Sequence, residues 1–174
     1  MKDIIREKSF EDCVSCERVY TLSWQQTYKG IINDEFLNNL TNNEIDRIKR
    51  NQDNFYNDND KRFVLEVDNK IVGVLSIGKS RNDKYSECGE LKSVYILNDY
   101  KGKGYGKKLF IKAVEELVKL GYKDMIIACL QGNPSNDFYK YMGGKFVDTS
   151  SFVLPNQELI ENVYYYSNIS ELLN

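Results

Sequence analysis

The stretch "DYKGKGYGKKLF", Asp99–Phe110, decides how this chain is read. Gly102, Gly104 and Gly106 stand at alternate positions between the strand-like run "GELKSVYIL" and the run "YGKKLFIKAVEELVKLG". In the second run Leu109, Ala113 and Leu117 form one row, with Phe110, Val114 and Val118 beside it. That spacing predicts an amphipathic helix, with Gly121 as its C-terminal cap. A strand, a Gly-rich turn and a helix bring backbone N–H groups together at a helix N-terminus, where the dipole helps them hold an anion. Glycines there let the backbone approach a phosphate that a Cβ would block. Neither familiar phosphate loop fits. A Walker A loop needs G-x-x-x-x-G-K-[ST], but Lys107 stands five residues after Gly102 and no Ser or Thr follows Lys108. In a dinucleotide fingerprint, G-x-G-x-x-G, the third glycine would come one residue after Gly106. A plain Gly/Lys turn is the other reading these residues leave open.

Outward from this stretch, "DIIRE" reads as a first strand and "FEDCVSCERVYTLSWQQTY" as a helix with Cys13, Val14, Val19 and Leu22 apolar. A second helical region spans about 33–55, with Phe36, Leu37, Leu40, Ile45 and Ile48 apolar, and "NQDNFYNDND" reads as a loop. "RFVLEVDNKIVGVLSIG" is a hairpin around Asp68-Asn69. After the central helix come a buried strand "DMIIACL", a short helix in "NPSNDFYKYMGG", and β-rich runs "KFVDTSSFVL" and "ENVYYYSN". The expected fold is α/β, with helices packed on a mixed sheet, as a single domain over 1–174.

Composition narrows the function. Hydrophobic residues make up 41% and charged residues 29%, ordinary for a chain that folds. A net charge of -2 and the lack of a long Lys/Arg block argue against nucleic acid as a partner. No run approaches membrane-spanning length and no signal-peptide core is present, so a cytoplasmic location with no membrane partner is expected. There is no His, which removes Ser-His-Asp and Cys-His nucleophilic systems and His-containing metal sites. Cys13 and Cys16 form a C-x-x-C that lacks the preceding strand of a redox motif and a second C-x-x-C for zinc, so no metal is expected and buried thiols are the plainer reading.

The segment "VYILNDYKGKGYG" resembles the signature of the GNAT family of acyl-CoA-dependent N-acyltransferases, [RQ]-x-x-G-x-[GA] preceded by a strand and followed by an amphipathic helix. Lys101 replaces the usual Arg or Gln, and Asn98 a common Pro. "NPSNDFYKYMGGKFV" is similar to the family's N-x-x-x-x-F-Y-x-x-x-G segment, and "SWQQTYKGIINDEFLNNL" to its W-x-x-x-Y-x-G-I stretch. The resemblance implies a mixed, mostly antiparallel sheet with a splayed parallel strand pair flanked by helices. It also implies acetyl-CoA as acyl-donor cosubstrate, with direct transfer of the acetyl group to a primary amine of a small molecule or peptide. Homodimers are common in the family, and nothing in the chain fixes the assembly.

By that resemblance, Val94, Tyr95 and Ile96 supply backbone groups to the pantetheine arm, and Lys101, Gly102, Lys103, Gly104, Tyr105, Gly106 and Lys107 form the phosphate loop. Tyr139 is the implied general acid, since a phenol with a reference pKa of about 10 stays protonated at neutral pH. It could equally be one residue of a helix's apolar face. Asn133 is either a cofactor contact or the N-cap of a helix beginning at Pro134. Glu90 is the implied general base, with Glu87 or water as alternatives and an exposed strand-end carboxylate as the plain reading. The lysines could be a solvated helix face. Trp24, Tyr28, Phe152 and Tyr164 to Tyr166 are candidate acceptor-pocket or core residues, and the acidic residues of 51–60 hint at a cationic acceptor. A GNAT-like module that binds acyl-CoA without turnover is the second functional reading.

Overall fold

The computed structural model describes residues 1–174. Its strands are β1 (Asp3–Glu7), β2 (Lys61–Val67), β3 (Lys70–Lys79), β4 (Gly89–Ile96), β5 (Met125–Leu130), β6 (Lys145–Leu154) and β7 (Gln157–Tyr166). They form one sheet in the order β1-β2-β3-β4-β5-β7-β6, antiparallel throughout except for the parallel pair β4 and β5. The β2–β3 hairpin turns at Asp68 and Asn69, both at positive φ, as a tight turn between right-twisting strands requires.

Helices cover both faces. On one face lie α4 (Tyr105–Lys119) and α5 (Ser135–Tyr141); on the other lie α1 (Cys13–Thr27), α2 (Asp34–Asn42) and α3 (Glu44–Asp53). Strand alternation divides the side chains between them. The α4 face takes Phe63, Leu75, Leu91, Ile127 and Tyr164 into a 21-residue core cluster with Leu109, Phe110, Ala113 and Leu117 of α4. The α1 face holds a smaller cluster of Trp24, Tyr28, Ile32, Leu37, Leu40 and Leu130.

Two expectations need correction, and one open alternative is resolved. The helical region 33–55 is two helices, broken at Asn43, and Ile45 is 79% exposed because α3 buries none of its residues. Val14 is exposed on the outer side of α1. Tyr164 and Tyr166 belong to the main core and Tyr165 packs on Tyr85, so none of the three lines the central cavity described below. The four cysteine thiols are buried and unpaired, and burial pushes Cys16 up to about 12. No helix is long and apolar enough to cross a membrane.

Candidate active site

The sheet opens at its middle. β4 pairs with β3 along its length but with β5 only at Gly89↔Met125 and Glu90↔Ile126. The separation has a local cause: Ser93 sits opposite Ser76 and Leu91 opposite Ile77, so Lys92 is an extra residue in β4, and such a bulge bends its strand. β5 continues along β7 instead. Before the bulge the two strands pair directly, and α4 packs on the start of β4. A Cβ on Gly89 would lie 2.7 Å from Leu117 Cδ2, so glycine is what lets the helix sit on the start of β4. Beyond Glu90 the strands part around a cavity of about 1220 Å³, with Val94, Tyr95 and Ile96 on one wall and Ile127, Ala128 and Cys129 on the other.

At one end of the cavity lies the Gly-rich turn. Gly102 and Gly104 take the left-handed conformation, at φ 72° and 84°, and a Cβ on either would meet nothing within 4 Å. Backbone shape, rather than crowding within the protein, therefore selects glycine at these two positions. Gly106 lies inside the first turn of α4, where a Cβ would stand 3.8 Å from the Phe138 ring at ordinary contact distance. The N–H groups of residues 102–107 find no backbone acceptor; the first that does is Lys108, which donates to the Gly104 carbonyl at 3.2 Å. A row of unspent donors thus faces outward at the positive end of a 15-residue helix.

The basic side chains divide. Lys101 lines the cavity with its Nζ 3.4 Å from Thr27 Oγ1, and burial lowers its pKa. Lys103 stacks over the Tyr100 ring, Lys107 is exposed, and Lys108 is drawn to Asp3 at 2.6 Å. Tyr105 is 6% exposed with its ring in the main core, leaving only its backbone N–H for the loop.

From the α4 side, Tyr139 reaches the gap. It is 8% exposed, and its backbone carbonyl is fixed by the Tyr166 hydroxyl at 2.6 Å. Burial first, then Cys129, Tyr166 and Tyr95 beside it, push its phenol well above the ordinary range, so it stays protonated. Asn133 does two things: its Oδ1 accepts from the Ser135 N–H at 2.9 Å, capping the approach to α5, and its Nδ2 donates to the Tyr28 hydroxyl at 3.4 Å.

The α1 side of the gap is built differently. Glu90, expected as a base or an exposed strand end, is 3% exposed and engaged by Arg81: the Arg81 N–H donates to Oε2 at 2.8 Å and Nη2 to Oε1 at 2.7 Å. Glu161 of β7, which sequence reasoning missed, lines the same cavity with neither an ion pair nor a hydrogen bond of its own. Burial raises its pKa, with Arg81 opposing and Glu90 adding to the rise. Tyr20, Trp24, Tyr95 and Phe152 wall this end, with Trp24 5.0 Å from Tyr20 and 6.2 Å from Tyr95 and Phe152. The Trp24 indole nitrogen stands beside Tyr95, buried and without a completed hydrogen bond. Of the three acidic residues of 51–60, Asp60 pairs with Lys92 at 2.7 Å and Asp58 with Arg62, while Asp53 is exposed at the end of α3.

A seven-stranded sheet split at one parallel pair, with a helix N-terminus at the mouth of the split, is the architecture implied by the resemblance to the GNAT family, and sequence comparison agrees. Residues 17–143 match the acetyltransferase (GNAT) family, and the chain belongs to that family as an acetyltransferase. It is 28% identical over 170 residues to the uncharacterized N-acetyltransferase YuaI of Bacillus subtilis, spanning 97% of this chain and 95% of that one. Its fold matches PaiA N-acetyltransferase from Thermoplasma acidophilum in complex with coenzyme A, with a TM-score of 0.70 and 22% identity over 93% of this chain and 98% of that one. It also matches YncA from Salmonella typhimurium with its cofactor acetyl-CoA, with a TM-score of 0.69 and 20% identity over 99% and 94% of the two chains.

Proposed function

We propose that the protein binds acetyl-CoA and transfers its acetyl group directly to a primary amine. The observation that carries this reading is the continuity of one cavity from the Gly-rich turn, through the β4–β5 gap, to the acidic end around Glu90. The residues present fit the donor: free N–H groups of 102–107 and the Lys101 ammonium suit a pyrophosphate, and the unpaired edge of β4 at Val94, Tyr95 and Ile96 suits an amide-bearing arm. Lys103 and Lys107 add charge at the rim, and Asn133 fixes the wall through Tyr28.

Acetyl-CoA, when bound, supplies an already activated thioester, so the chain needs neither a nucleophile of its own nor a His. Backbone N–H groups along β4 stabilise charge that develops on the carbonyl oxygen. Tyr139 holds a proton for the departing sulfur. The amine's proton leaves on the opposite face, where Glu90, its oxygens already accepting from Arg81, receives it through water.

Incubation with acetyl-CoA and a mixture of primary amines, read by thiol release and by mass spectrometry of the N-acetylated products, tests the reading. Catalytic thiol release matched by product supports it. Tight acetyl-CoA binding without transfer to any amine would favour a non-catalytic acyl-CoA-binding module instead.

A further inference from the structure

The acceptor end of the cavity has one carboxylate too many. Arg81, from the β3–β4 connection, is committed to Glu90 of β4, and Glu161 stands beside that pair with no cation of its own. The other groups facing Glu161 are Tyr95 of β4 and Cys129 of β5, with Ser150 opposite it on β6; none is basic. A half-buried, unpaired carboxylate costs desolvation energy, and a cation from outside offsets it while leaving the carboxylate ionised. The walls around it are the rings of Tyr20, Trp24, Tyr95 and Phe152, which suit both an apolar body and, through their faces, an ammonium.

We infer that Glu161 binds the ammonium of the acceptor, and that the acceptor is a primary amine carried on an apolar body lying against Tyr20, Trp24, Tyr95 and Phe152. This rests on the acetyltransferase reading above and names the substrate class of the same site. Glu161 is then the residue that selects the acceptor, while Glu90 keeps Arg81 from neutralising it.

Trp24 is the sole tryptophan, so its fluorescence reports this end of the cavity directly. The probe is phenethylamine, titrated into CoA-saturated protein at neutral pH, with 2-phenylethanol as the uncharged counterpart. The expected result is saturable binding of phenethylamine, weakened about tenfold or more in Glu161→Gln, with 2-phenylethanol weak and equal in both proteins. In the wild type the affinity should fall as pH drops through the raised Glu161 pKa, while in Glu161→Gln it should stay flat. Calorimetry of acetyl-CoA separates the two claims. Unchanged acetyl-CoA affinity with phenethylamine binding insensitive to Glu161→Gln overturns this inference alone, as does wild-type binding no tighter than that of 2-phenylethanol or absent at tens of millimolar. Loss of acetyl-CoA binding in the wild type overturns the reading beneath it.

Discussion

The two faces of the sheet meet at one gap but are made by opposite means. On the α4 face the half proposed to take the donor is mostly backbone: unpaired N–H groups of a turn and a helix end, a bulged strand edge, and one phenol held by packing. On the α1 face the half proposed to take the acceptor is side chains: aromatic rings, an Arg–Glu pair and an unpaired carboxylate. The difference teaches which half can vary. Backbone donors depend on conformation and are fixed once the turn and helix are fixed; side-chain walls can be exchanged without moving the sheet.

The same difference governs what was legible in the sequence. The donor half is local: glycines, a helical apolar row and Tyr139 lie in two short segments, and each carries a pattern that physics ties to its shape. Even there the text misleads on detail, because Gly102 and Gly104 answer to positive φ while only Gly106 has a neighbour at contact distance. The acceptor half is assembled from Trp24, Arg81, Glu90 and Glu161, and distant residues are brought together only by sheet order. One signal for Glu161 was present: it interrupts an alternating row, Leu159, Glu161 and Val163, whose other members are apolar. The bulge at Lys92 that opens the gap has no mark in the sequence, since nothing in "GELKSVYIL" distinguishes a bulged strand from a regular one.

The comparison breaks most sharply at Tyr139. Tyr139→Phe removes the proton held on the donor face and should lower kcat by about 10²–10⁴ while leaving acetyl-CoA affinity within about twofold, measured by steady-state thiol release and calorimetry. An equal loss of affinity would make Tyr139 a packing residue. The next effect is structural. Leu117→Ala, fully buried against Gly89 where β4 and β5 are still joined, should cost about 2–5 kcal/mol in urea unfolding and loosen the donor face first. Loss confined to stability, with acetyl-CoA affinity intact, would show that the gap does not depend on that joint.

The smallest effect sharpens the account of α4. Burial pushes the Glu116 carboxyl up, but hydrogen bonds from Lys112 and Lys119 outweigh it and bring the pKa down to about 2. A lowered folded-state pKa gives stability that is present above the ordinary carboxylate value of 4.5 and lost as pH falls from there toward about 2. Because solvent screens the carboxyl and its exposed partner Lys119, the contribution is about 1 kcal/mol or less. Glu116→Gln should lower the urea midpoint at neutral pH and narrow the difference from wild type as pH falls toward 2. A difference that is constant with pH would remove the ion pairs from the account.

The most direct test of the central claim is calorimetric titration of acetyl-CoA into the wild type and into Gly106→Asp. The substitution sits in a helical conformation where a Cβ makes only ordinary contacts, so the fold should persist, confirmed by circular dichroism, while a carboxylate is added beside the row of free N–H groups. Saturable binding by the wild type, weakened about a hundredfold or more in the folded variant, is the predicted result. Equal binding by both proteins would contradict the placement of the donor at the α4 N-terminus.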